Sequence, residues 1–80
     1  MKTEIFQSAI LNRKKIRFLY GMDEVVLEPY YISVSKNGKK VLYGRVNSSA
    51  EIKKFEYCKI CNIKILDLKK FSPLIPILSA

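Results

Sequence analysis

The chain has 80 residues, 49% hydrophobic and 28% charged, which is room for one small domain with a thin core and too little polar excess for disorder. Fifteen Lys and Arg against seven Asp and Glu give a formal charge of +8, a field that favours anionic partners, nucleic acid first among them. No stretch reaches the roughly 20 apolar residues of a membrane helix, and the apolar run near the N-terminus is too short and interrupted for a signal peptide, so a cytoplasmic protein is expected.

The first element is an amphipathic helix over about residues 3–13, where Ile5, Phe6, Ala9, Ile10 and Arg13 recur at helical spacing. Thr3 is its expected N-cap, and the basic residues at its C-terminal end suit the helix dipole. From Lys15 the period drops to two: Ile16, Phe18 and Tyr20 alternate with Arg17 and Leu19, as in a half-buried strand. "GMDE" turns the chain into the long run "EVVLEPYYISVSK", where Pro29 cannot donate a ladder hydrogen bond and predicts a kink.

Asn37-Gly38 between two alternating runs predicts a type I′ hairpin, with "KKVLYGRV" as the return strand. "NSSAE" reads as a loop, "IKKFEYC" as a fourth strand and "NIKILDL" as a fifth. One helix followed by five short strands predicts an all-β fold with one N-terminal helix, closed into a small, strongly bent barrel over about residues 15–68. The apolar tail over residues 71–80 holds Pro73 and Pro76, so it is expected to pack on the barrel or a partner without regular structure.

The chain has no histidine, which removes Ser-His-Asp and Cys-His nucleophilic arrangements and the usual proton shuttle. Its three glycines stand singly, so there is no phosphate-cradling loop. No enzyme activity and no cofactor are expected. Cys58 and Cys61 have the spacing of half a tetrahedral zinc site, but the chain offers no further Cys or His to complete one. The expectation is therefore no metal and two cysteines buried as small hydrophobes in a tight connection. A zinc site shared by two copies is the alternative.

Sorting strand residues by face places Val41, Tyr43 and Arg45 together, and Lys53 with Phe55 and Tyr57, with Lys59 just past the strand end. Tyrosines interleaved with cations on a curved sheet can stack bases and neutralise phosphates. Aromatics filling a small core rimmed by cations would leave the same pattern.

In order, "AILNRKKIRFLY", "VLEPYYI", "NGKKVLYGRV", "EIKKFEYCKICNIKIL" and "FSP" resemble the WYL domain of bacterial transcriptional regulators, over about residues 5–73. The resemblance implies a single domain over residues 1–80 with a five-stranded Sm-like barrel. It implies a sensor that binds single-stranded nucleic acid or a nucleotide on a basic concave surface and acts in transcription regulation. The namesake Trp-Tyr-Leu falls on Lys40, Val41 and Leu42, so only the Leu is kept, and Tyr43 is the nearest substitute aromatic. The family's basic positions fall on Lys53 and Lys59, both Lys where Arg is usual.

Arg17, Tyr43, Arg45, Lys53 and Lys59 are thus the expected ligand contacts. About a dozen residues precede the first strand, too few for a helix-turn-helix, so a stand-alone sensor is expected, with a separate regulatory protein as a partner and a homo-oligomer as its state. The competing expectation is a dimerisation or docking module that has lost its ligand.

Overall fold

The computed structural model describes residues 1–46, 51–67 and 70–71. Residues 47–50 of the expected loop over 47–51 and the tail beyond Phe71 lie outside these. The order is helix α1 (Lys2–Leu11), strands β1 (Ile16–Tyr20), β2 (Asp23–Val34), β3 (Lys40–Val46) and β4 (Ile52–Glu56), a 3₁₀ turn (Tyr57–Lys59) and strand β5 (Ile60–Ile65). The class is the expected one, all-β with a single N-terminal helix. Among the described residues no helix is long and apolar enough to cross a membrane.

The strands form one antiparallel sheet in the order β4-β3-β2-β1-β5. This corrects the closed barrel, because among the described residues β4 and β5 do not pair. The sheet instead bends until side chains meet across the gap. Phe55 of β4 lies edge-on to Phe18 and Tyr20 of β1, at 5.3 and 5.0 Å between ring centroids, and the Glu56 backbone N–H donates to the Tyr20 hydroxyl at 3.2 Å. Edge-to-face aromatic contacts of this kind add about 1 kcal/mol each beyond the area they bury.

The concave face carries the core: Ile16, Phe18, Val25, Leu27, Leu42, Phe55 and Ile60, covered by Phe6, Ala9 and Ile10 of α1. Helical spacing puts those three on one face, and strand alternation supplies the rest. The helix starts earlier than expected. Met1, not Thr3, is the N-cap; Thr3 lies in the first turn, where its hydroxyl faces the Tyr57 hydroxyl at 3.4 Å.

The helix ends in a Schellman arrangement, with the Lys14 N–H donating to the Ala9 carbonyl and the Arg13 N–H to the Ile10 carbonyl. Arg13 therefore occupies the left-handed position, at φ 53°, where glycine is usual. Arg13→Gly should raise stability by about 0.5–1 kcal/mol, since a side chain there costs about 1–2 kcal/mol and glycine returns part of it as unfolded-chain entropy. Urea denaturation would read the gain as a higher midpoint at unchanged slope.

Among the described residues two bulges break the strand alternation. Opposite Gly44 of β3, the register of β2 shifts between Pro29 and Tyr31, the kink expected at the proline. In β5, Arg17 pairs with Lys64 but Leu19 with Cys61, so β5 carries one extra residue, and Asn62 absorbs it at φ 55°. Ile60 and Ile63, an odd number apart, both reach the core because of it.

The Asn37-Gly38 turn is also corrected. A type I′ turn needs positive φ at both residues, whereas only Gly38 has it, at 75°. The Gly38 N–H donates to the Ser35 carbonyl and the Ser35 N–H to the Lys39 carbonyl, so Ser35–Lys39 form the longer loop of a type I turn with a glycine bulge. A two-residue turn would pair Lys36 with Lys39 and so bring Ile32 opposite Tyr43. The observed loop pairs Val34 with Lys40, Ile32 with Leu42 and Tyr31 with Tyr43. Burial of Leu42 selects this register, since a slip of one residue would expel it to the other face.

Candidate nucleic-acid interface

The convex face of β2, β3 and β4 is built by that register. Residues opposite one another in an antiparallel pair share a face, so Glu28 meets Arg45, Tyr31 meets Tyr43 and Ser33 meets Val41. On the far side of β3, Ile52 meets Arg45, Lys54 meets Tyr43 and Glu56 meets Val41. The centre of the face is the row Tyr31, Tyr43, Lys54. The two tyrosine rings stack at 4.6 Å and 18°, both half-buried, and Lys54 is exposed beside them.

Next along β4 is Glu56, whose carboxylate accepts from the Lys59 ammonium at 3.0 Å. That contact holds the Glu56 carboxyl below the usual carboxylate range and raises Lys59, with the charges of Lys39 and Lys54 also lowering Glu56. Lys39, Lys54 and Lys59 thus surround one carboxylate close to the tyrosine pair. The net charge of that group is positive, and the pair Lys59–Glu56 is exposed enough to reorganise for an anion at little cost.

Three of the five expected contacts do not join this group. Lys53 pairs with Gly44 and shares the face of Phe55, so it lies on the side of the sheet opposite Tyr43 and Arg45. Arg17 is on the convex face but opposite Val26 and Lys64, five residues along β2 from Tyr31 and so about 16 Å away. Arg45 is committed elsewhere: its Nε and a terminal nitrogen donate to the two Glu28 oxygens at 2.8 and 3.0 Å. Glu28 is only 3% exposed, with the Lys15 ammonium 4.0 Å away, and its hydrogen bond raises the Arg45 pKa further. A two-point arginine–carboxylate pair of this geometry leaves little of the fork for a ligand.

Tyr43 lies in the central row, and Lys59 reaches its neighbourhood through Glu56, which pairs with Val41 two residues before Tyr43. Tyr31 and Lys54 are the residues the sequence reading missed. The signal was the length of the Ser35–Lys39 loop, because pairing Val34 with Lys40 places Tyr31 opposite Tyr43 by counting alone.

The cysteines overturn their expectation: Cys58, in the 3₁₀ turn, and Cys61, in β5, are both exposed free thiols, while Ile60 between them is 1% exposed and anchors the core. The turn is held by α1. The Lys2 ammonium donates to the Tyr57 carbonyl at 2.6 Å, and the Tyr57 ring lies edge-on to Phe6 at 5.1 Å. Burial raises the Tyr57 hydroxyl pKa, an effect the Thr3 contact partly offsets.

No family model, curated protein or solved structure matches the chain.

Proposed function

We propose that this chain is a WYL-like sensor module that binds single-stranded nucleic acid or a nucleotide in the cytoplasm, without turnover, and passes the signal to a regulatory protein. The observation that carries this reading is the stacked Tyr31–Tyr43 pair beside Lys54, with the Lys59–Glu56 pair next in line. A base stacks on the exposed side of the tyrosine pair, a contact worth about 1–3 kcal/mol. Lys54 and Lys59 neutralise adjacent phosphates, Lys59 by leaving Glu56. The helix-first, five-stranded bent sheet supports the resemblance in order of elements, apart from closure and from the expected concave ligand surface: the core fills the concave face here, and the tyrosine row lies on the convex one.

Fluorescence anisotropy with a labelled single-stranded oligonucleotide tests the reading at about 50 and 200 mM salt, where the phosphate contacts of Lys54 and Lys59 predict a loss of about sevenfold. Tyr43→Ala should weaken binding about tenfold or more. Lys54→Glu should weaken it at least as much while Lys53→Glu, the same change of charge on the opposite face, leaves it nearly unaltered. Equal losses from the two would mean diffuse attraction to a +8 chain rather than a site. Absence of binding at low salt would leave the docking module, which the edges of β4 and β5, unpaired among the described residues, favour.

A further inference from the structure

Free cysteine is among the most buried residue types, yet both cysteines of this chain are exposed on a well-anchored segment. The backbone around them is pinned from both sides. Before Cys58, Tyr57 is held by Lys2 and Phe6; after it, Ile60 is sunk in the core and Cys61 is paired with Leu19 of β1. Two thiols separated by two residues are thereby offered to solvent at a fixed place on the sheet's open seam. Packing does not account for them there.

We propose that Cys58 and Cys61 are half of a zinc site, completed by the same two cysteines of a second copy of the chain. A structural zinc site takes four ligands in a tetrahedron, and sulfur with nitrogen is its preferred donor set. One copy cannot provide it. The chain has no histidine and no third cysteine, and among the described residues no group of three or more His, Cys, Asp and Glu could hold a metal. The undescribed positions add no residue of these four types.

Charge supports the pairing as well. Four thiolates on Zn²⁺ carry a net charge of −2, placed between two chains of +8 each, with Lys59 and Lys64 in the same stretch as the cysteines. The centre therefore lessens, at the seam itself, the repulsion between two such chains. In the binding step four S–H bonds release their protons to solvent and four Zn–S bonds form, with no change of oxidation state.

The test uses the full chain kept reduced, with zinc chloride as the only addition. Zinc content per chain and solution mass are followed together. The expected result is one zinc per two chains, with the mass doubling from 9.3 kDa and returning when a chelator is added. Cys58→Ser and Cys61→Ser should each abolish both changes. Because the thiols are exposed, both variants should melt as the parent does without zinc, and cobalt in place of zinc should give the absorption of a four-thiolate tetrahedral centre. One zinc per chain at unchanged mass, a dimer that survives chelator or either serine variant, or no zinc bound at micromolar concentration would overturn the proposal. Oligonucleotide binding is read separately, so either idea can fail while the other stands.

Discussion

Gly44→Ala should lower stability by about 3 kcal/mol, a large share of the roughly 4–12 kcal/mol expected for a domain of this size. A Cβ at Gly44 would meet the Glu28 carbonyl oxygen, and the Leu27 Cγ at 2.7 Å and Cδ1 at 2.9 Å. None of these yields easily. The carbonyl is backbone, it leads into the wholly buried Pro29, and Leu27 is itself 0% exposed. Glycine at position 44 is what lets β3 lie against the kink in β2, and the Tyr31–Tyr43 pairing begins one step beyond it.

Gly38→Ala is the control, since nothing lies within 4 Å of a Cβ there and only the φ of 75° opposes it. Its cost should stay at about 1–2 kcal/mol. Urea denaturation of both variants separates crowding from backbone strain. If Gly44→Ala proved no worse than Gly38→Ala, the close approach of the two strands would not be limiting.

Arg45→Met should lower the melting temperature by about 15 °C, because it strands the buried Glu28 carboxylate without its two-point partner. Lys15, at 4.0 Å, compensates only in part. Removing both charges is a different experiment. Arg45→Met combined with Glu28→Leu should recover most of the loss, since two apolar side chains in that place need neither desolvation nor a partner.

Melting curves of the single and double variants therefore measure whether Arg45 serves the fold or the ligand. Lys54→Glu gives the reference for a residue that serves the ligand, with binding weakened and the melting temperature nearly unchanged. An Arg45→Met variant that melts like the parent but loses oligonucleotide binding would return Arg45 to the ligand site, where its strand position alone had put it.

What the sequence by itself determined is the set of elements and the character of the chain. The change from helical spacing at Phe6, Ala9 and Ile10 to alternation at Ile16 and Phe18 marks where the helix yields to strands. Such periods are local, carried by residues only a few positions apart. The net charge and the missing histidine likewise need no coordinates. Even Pro29 announced its kink, because a proline ring obstructs the ladder wherever it stands.

Only the tertiary structure decided which residues meet. Side chains alternate at every position of a strand, so one extra residue in a bulge or loop reverses the face of all that follows. The extra residue at Tyr30 lets Glu28 and Tyr31 share the convex face, and the loop at Ser35–Lys39 puts Tyr31 against Tyr43. The register of β4 on β3 chooses Lys54 over Lys53, a difference of one position in a run of two lysines. The register of β3 on β2 set Arg45 against Glu28, seventeen residues away. The cysteines came to the surface because Ile60, between them, took the core position. Each of these outcomes depends on contacts distant in the chain, and no local period encodes them.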